Sequence, residues 1–309
     1  MPGTAITEQR GVIMASSSAA SLVLSVGDVQ VFRVEELILP TSARWLLPDV
    51  TRPEVEPTKA WLQPHFMNEA GYLLQSIHTY VVKTPNQVIL VDTGVGNAKQ
   101  RGGGIPAFNM LDTPFLDRLA SIGVTPSEVD LVLCTHLHGD HVGWNTNLVD
   151  DVWTPTFPEA RYVFCEKEFT YWNTGGETAR GARQLMVDSV QPVVEADQVD
   201  LVPADYVVSP EIELEASHGH TPGHVNIRIE SKGRSAVLIG DVMHNPLQCA
   251  FPHLKSSLGG NEEPSREARL AMLRRYADTD ALVLGAHFNA PCAGHVYRDG
   301  EAFRFEAVA

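Results

Sequence analysis

Cysteine is scarce in this chain of 309 residues. There are four, Cys134, Cys165, Cys249 and Cys292, and no two stand in a CxxC spacing. Nothing here suggests a disulfide framework, so a reducing, cytoplasmic compartment is the default expectation. Basic charge is short as well: 23 Lys and Arg face 38 Asp and Glu, a formal charge of −15. A surface of that sign repels phosphate backbones, which argues against a nucleic-acid partner. No run of about 18 apolar residues occurs, so no membrane-spanning helix and no membrane partner are expected. The first residues lack both the basic start and the long apolar core of a signal peptide, and residues 1–20 are expected to form a flexible tail. GxSxG is absent too, so no serine nucleophile elbow is on offer. What remains, 44% hydrophobic and 20% charged residues, is the composition of a soluble globular protein. Its length fits a single large domain over 21–309.

Hydrophobic patterning supplies the outline. "LVLSV" (22–26) and "VQVFRV" (29–34) around Gly27-Asp28 predict a hairpin. Residues 40–70 are rich in Pro, Trp and charge without a clear period. They are expected to form a long surface excursion that either caps a site or pairs two chains in a homodimer. Strands are predicted within 76–94, at 129–136, Tyr162–Phe164, 212–216, 225–230, 236–241 and 281–287, with a closing hairpin around Asp299-Gly300. Helices are predicted over 113–124, from 166, and over 264–279, where Pro264 stands near the start and Arg274 and Arg275 come late. "RGGGIP" (101–106) reads as a flexible loop, and the polar stretch between the helix at 166–173 and residue 212 shows little pattern. Cys134 lies inside an apolar strand-like run and is expected as a buried, unreactive thiol.

Against this background "THLHGDHVGW" (135–144) stands out: His136, His138, Asp140 and His141 fall within six positions. His136 and His138 share a face if the strand persists. Gly139 lets the backbone turn, so Asp140 and His141 can address a second point nearby. One ion rarely takes four ligands from six consecutive residues, whereas two adjacent ions can share them. Imidazole and carboxylate suit Zn²⁺, and also Fe or Mn. Two ions need about seven protein donors, and other apolar strand ends offer the remainder. "SHGHTPGH" carries His218, His220 and His224, "IGD" ends in Asp241, and "GAH" ends in His287.

The order HxHxDH, GHTPGH, GD and a late AH, preceded by "VDTG" at Val91–Gly94, resembles the metallo-β-lactamase-fold hydrolase superfamily. The likeness runs from about residue 76 to the end. "ASHGHTPGH" and the tail "GAHFNAPCAGHVYRDGEAFRF" most resemble its methyl parathion hydrolase branch, a neighbour of the N-acyl-homoserine lactonases. The resemblance implies an α/β (α+β) fold, a four-layer αββα sandwich with a dimetal site at one edge between the sheets. It implies that His136, His138 and His220 bind one metal, that Asp140, His141 and His287 bind the other, and that Asp241 bridges both. Asp92 would orient a ligand histidine, and His218 and His224 would support the site from outside. The implied cofactors are two divalent ions, zinc first.

Such a pair would share a hydroxide, nucleophilic at neutral pH, and polarise a scissile carbonyl or phosphoryl oxygen. Asp140 or Asp241 could carry the proton. Aspartate at 241, where some β-lactamase subclasses have a cysteine ligand, fits lactonases, phosphotriesterases and glyoxalase II-like thioesterases better. Quorum-quenching lactonases carry a tyrosine where this chain has His244, which is a candidate to hydrogen-bond the substrate oxygen or to act as an acid. Trp172, Phe108, Trp144, Phe251, Phe288 and His295 are candidates for the wall of an apolar pocket. The expected substrates are small uncharged esters or lactones, with phosphotriester hydrolysis as a side activity. The alternatives are a mononuclear iron redox enzyme of the sulfur dioxygenase type and a glyoxalase II-type thioesterase.

Overall fold

Alternation along the strands decides where each sheet lies. The computed structural model describes residues 20–101, 105–176, 182–258 and 262–308. The expected tail (1–20) falls almost entirely outside them, as does the centre of the expected 101–106 loop. In chain order, β1 (Ala20–Val26), β2 (Val29–Thr41), β3 (Leu73–Lys83), β4 (Val88–Val91) and β5 (Leu131–Leu133) precede a small hairpin, β6 (Thr146–Val149) and β7 (Val152–Pro155). After it come β8 (Arg161–Cys165) and β9 (Val199–Val202). Apart from the hairpin these form one sheet in the order β1-β2-β3-β4-β5-β8-β9, with β4, β5, β8 and β9 parallel. The second sheet runs in sequence order: β10 (Ile212–Ala216), β11 (Val225–Ser231), β12 (Arg234–Leu238), β13 (Leu282–Leu284), β14 (Ala293–Asp299) and β15 (Ala302–Ala307). Its one parallel pair is β12 with β13.

Tyr80, Val82, Ile89, Val91, Leu133 and Val163 point from the first sheet into a core shared with Ile227, Ile229, Leu238 and Leu284 of the second. The intervening Val81, Leu90, Val132, Tyr162 and Phe164 face the other way, into a separate core. A period of two with both faces apolar is what a sheet covered on both sides requires. The outer cover comes from α4 (Phe115–Ser121), α5 (Glu166–Asn173), α6 (Ala182–Leu185) and α7 (Gln191–Glu195), through Phe115, Leu119, Trp172, Leu185 and Val193. Three earlier helices, α1 (Ala43–Leu46), α2 (Arg52–Val55) and α3 (Lys59–Leu62), lie in the 40–70 segment. Last come α8 (Leu247–Ala250) and α9 (Glu262–Tyr276). On β10, Ile212 and Leu214 point inward, while Glu215 points out to meet the Tyr276 hydroxyl (2.8 Å) and Arg275 (2.9 Å) of α9. So α9 covers the outer face of the second sheet, and the expected αββα layering is observed. Among the described residues no helix is long and apolar enough to cross a membrane.

Two expectations are corrected. Residues 40–70 are not a mere surface excursion: Leu46, Leu47, Val50, Leu62, Phe66 and Met67 are buried in the inter-sheet core. Three helices of four residues each are too short to print a helical period on the sequence. The stretch before residue 212 is likewise structured, with α6, a π-helical turn at Met186–Val190, α7 and β9.

That π-helical turn delivers Asp188 into a buried charge cluster. Its carboxylate accepts two parallel bonds from the Arg101 guanidinium, at 2.8 and 2.9 Å. Lys99 Nζ bonds Thr146 Oγ1 (2.7 Å) and the Asp188 carbonyl (2.8 Å), lies 3.7 Å from the Asp188 carboxylate, and sits over the Trp153 ring. Burial pushes the Lys99 ammonium down to about 7, with the Asp188 charge resisting. This cluster ties the segment after β4 to the helical cover.

Candidate metal centre

Parallel strands of both sheets end at the same edge. β4 runs into Asp92, and β5 runs through Cys134 and Thr135 into His136. β12 runs into Asp241 and β13 into His287. Three backbone bonds stitch the tips together: Val225 N to Thr135 O (3.0 Å), Ile239 N to Leu284 O (2.9 Å) and Ser76 N to His287 O (3.0 Å). Side chains as far apart in sequence as Asp92 and His287 are thereby brought to one place.

His136 Nε2, His138 Nδ1 and His220 Nε2 are consecutive neighbours at 2.9 and 2.8 Å. Asp241 Oδ2 completes this group, 3.6 Å from His136 Nε2 and 3.1 Å from His220 Nε2. Its other oxygen, Oδ1, lies 3.2 Å from His141 Nε2 and 2.9 Å from His287 Nε2. Asp140 approaches the same two rings, at 3.8 Å and 3.7 Å. The donor atoms of His136, His138, His220 and Asp241 all lie within 4.8 Å of one another, and so do those of Asp140, His141 and His287. Asp241, His244 and His287 make a third such group.

The outer nitrogens of His141 and His287 are committed elsewhere. Asp92 Oδ2 accepts from His141 Nδ1 (2.8 Å), and Asp92 Oδ1 accepts from Thr135 N (2.8 Å). Asp92 holds these bonds in a left-handed conformation, φ 56°, which costs a non-glycine residue energy that its surroundings must repay. The Ser76 carbonyl accepts from His287 Nδ1 (3.0 Å). His224 Nε2 accepts from the backbone N of Asp241 (2.9 Å), so its proton resides on Nδ1, facing Ser217 Oγ. His218 contacts the His224 carbonyl (3.2 Å) and braces the same loop. These contacts fix tautomers and ring directions.

Burial holds His136 and His224 neutral, and holds His220 down at about 4. Neutral imidazole is the form that binds metal. His141 and His287 shift upward: burial opposes their charge, but Asp241 and the neighbouring carboxylates outweigh it. Among the described residues, His141 Nε2 and Asp241 Oδ1 are buried without hydrogen-bond partners. An orphaned acceptor pair amid five imidazoles and two carboxylates is a donor set that fits divalent cations.

The proposed pocket residues are scattered. Trp172 meets His138 edge-on at 5.4 Å and lines a cavity of about 300 Å³ with Arg183, Met186 and Val187. The other aromatics are corrected. Trp144 is core, stacked on Phe115 and donating to Glu36 Oε1 (2.8 Å). Phe108 packs with Leu37, Ile77 and Val95, and Phe288 packs against Phe66 and Phe305. Phe251 is half-buried against the inter-sheet core. His295 lies on β14, opposite Glu306 and beside Tyr297. An aromatic next to a ligand in sequence points to the opposite side as often as to the same one, and sequence alone does not say which. Cys134 is buried as expected, its thiol pushed well up by burial and the Asp92 charge.

Two buried glutamates went unseen. Glu36 accepts from Val95 N (2.6 Å), Gly96 N (3.1 Å) and Trp144, shaping the turn after Asp92. Gly94 must be glycine there: its φ is +60°, and a Cβ would stand 2.4 Å from Glu36 Oε2. Glu168 binds both histidine loops. Each reads in sequence as an ordinary surface acid, because only burial distinguishes it.

A sequence model of the Metallo-beta-lactamase superfamily matches residues 74–287. The chain belongs to this superfamily. Among its curated relatives, an N-acyl homoserine lactonase of a Bacillus species is 26% identical over 171 residues, 52% of this chain and 60% of that protein. The chain thus spans about six tenths of the length of the Bacillus lactonases it matches. The N-acyl homoserine lactonase AiiB of Agrobacterium fabrum is 21% identical over 226 residues, 67% of this chain and 77% of that one. Two solved structures share the fold along nearly their whole length. The hydrolase AbOPH superposes with a TM-score of 0.78 at 21% identity, covering 96% of this chain and 99% of its own. AidC, described as a dizinc quorum-quenching lactonase in complex with a product, superposes with a TM-score of 0.76 at 18% identity, covering 95% and 99%.

Proposed function

We propose that this chain is a metal-dependent hydrolase that opens lactones or cleaves esters of small, largely uncharged substrates, using two divalent cations, zinc first. One observation carries the reading. The two oxygens of Asp241 turn to different imidazole sets, Oδ2 to His136 and His220 and Oδ1 to His141 and His287. A carboxylate so placed suits a bridge between two ions. The lactonase relatives, and the dizinc description of AidC, support the substrate class and the metal.

On this reading His136, His138, His220 and Asp241 hold one ion, and Asp140, His141, His287 and Asp241 the other. Bound there, the ions would lower the pKa of water toward about 7 and polarise the scissile oxygen. Asp92, Ser76 and His224 keep the ligand atoms aimed inward, so little reorganisation accompanies reaction. Asp140, partly exposed at the rim, is placed to receive and release the proton. Trp172, whose ring packs edge-on against His138, opens with Met186 and Val187 onto a cavity that suits an acyl chain, with Asn173, Arg183 and Gln191 as its polar lining.

Purification without added metal, followed by metal analysis and assay against lactones, aryl esters, thioesters and phosphotriesters, tests the reading. Two divalent ions per chain with lactone or ester turnover is the expected result. One iron per chain, or no hydrolysis of any of these substrates, refutes it.

His244 has its own test. Nε2 donates to Asp241 Oδ2 (3.1 Å), the ring stacks on His287 at 5.3 Å, and Nδ1 has no partner. Burial keeps the ring neutral despite Asp241. His244→Ala should lower kcat by about a hundredfold with both ions retained, as expected for a group that handles a proton or orients the substrate. Loss of an ion would make it a ligand instead, and unchanged kinetics would make it packing.

A further inference from the structure

We propose that Glu168 is a positioning residue for the His136, His138 and His220 half of the metal centre, and not for the Asp140, His141 and His287 half. The inference rests on the metal-centre reading above.

Glu168 sits in the first turn of α5 and is 1% exposed. Oε1 accepts from Leu137 N (3.1 Å) and from Trp172 Nε1 (2.7 Å). Oε2 accepts from Thr221 Oγ1 (2.7 Å) and Gly223 N (2.9 Å). Leu137 lies between His136 and His138, Thr221 follows His220, and Trp172 meets His138 edge-on. One buried carboxylate therefore grips both loops that carry the three histidines, and also the ring that packs on one of them. These loops come from different sheets, 82 residues apart at His138 and His220. Bonds to an ionised acceptor are stronger than neutral ones, and four of them converge here. The fit leaves no slack: a Cβ on Gly223 would stand 2.2 Å from Glu168 N.

The other half is held by different groups. His141 is oriented by Asp92 and His287 by the Ser76 carbonyl. Neither of these supports belongs to the Glu168 network, so loosening Glu168 should be felt on one side only.

Calorimetric Zn²⁺ titration of the metal-free full chain tests this. His138→Ala and His287→Ala identify which binding step belongs to which half. Glu168→Ala should weaken the step that His138→Ala abolishes by about ten- to a hundredfold and leave the other unchanged. Glu168→Gln keeps one acceptor but sets an amide donor against backbone or side-chain donors, so it should weaken the same step by a smaller factor. It also serves if the alanine variant fails to match the parent melting curve without metal. Equal weakening of both steps, or of neither, overturns the proposal. A parent that binds one ion refutes the two-cation reading separately. Glu168 is then judged on that single step, and the proposal falls if the step survives His138→Ala.

Discussion

Asp241→Ala should yield a folded chain that retains almost no metal and hydrolyses its best lactone or ester at least about a thousandfold more slowly. Asp241 turns its two oxygens to imidazoles of both groups, Oδ2 to His136 and His220 and Oδ1 to His141 and His287. Removing it deprives both groups of their shared anion and sets buried imidazoles against one another. Its carboxyl is held well below the usual range: burial opposes the charge, but His287, His141, His244 and His220 outweigh it. The fold should persist because His224 binds the backbone N of residue 241, not its side chain. Asp241→Asn, which keeps the shape but loses the charge, should bind metal with intermediate affinity. Metal content by elemental analysis, together with kcat/KM, checks the pair. Parent-like turnover in Asp241→Ala would show that the chemistry lies elsewhere.

The largest expected loss of stability lies away from the candidate metal centre. Asp188→Ala should destabilise the protein by about 3–5 kcal/mol, because it strands a buried arginine and a buried lysine without their anion. Arg101 loses two charge-assisted bonds and Lys99 loses its countercharge. The two cations differ with pH. Lys99 titrates at about 7 in the native chain against an ordinary 10.5, so above about pH 7 the unfolded chain binds the extra proton and stability rises with pH. Below that point both states are protonated and the cost of burying the charge stands in full. Without Asp188 the native lysine gives up its proton at still lower pH. The share of the deficit owed to Lys99 should therefore be largest in acid and fade above about pH 7, while the share owed to Arg101, which stays charged, persists. Urea unfolding of parent and variant, both metal-loaded, at about pH 6 and about pH 8.5 should show a smaller gap at the higher pH. A gap under about 1 kcal/mol, or one that widens with pH, would contradict this account.

The cluster of histidines and aspartates was legible because its residues are local and their order distinctive. HxHxDH is one short stretch, and His220, Asp241 and His287 each follow a strand within three or four residues, in a segment that holds a glycine. Strand β11, whose VNIRIES alternates, and the long helix α9 were legible because they have enough residues to print a period, and β4 because it is an unbroken apolar run. Elements of three to five residues, such as α1, α2, α3, α6 and α7, carry no such signature. The 40–70 segment consequently read as surface although its apolar residues fill the core. Among the aromatics, Trp172 lies beside His138, while Trp144, Phe108 and Phe288 belong to the packing.

By itself the sequence determined which atoms are available for metal chemistry and that apolar strands deliver them, since residue type and spacing are properties of the chain. Only the tertiary structure decided which carboxylates are buried and what they bind. Glu168 and Glu36 look like solvated acids until the sheets close over them, because burial and hydrogen-bond partners arise from contacts between segments distant in sequence. The roles of Asp188, Lys99 and Arg101 were settled in the same way, by enclosure in a low-dielectric interior where each charge needs an opposite one beside it.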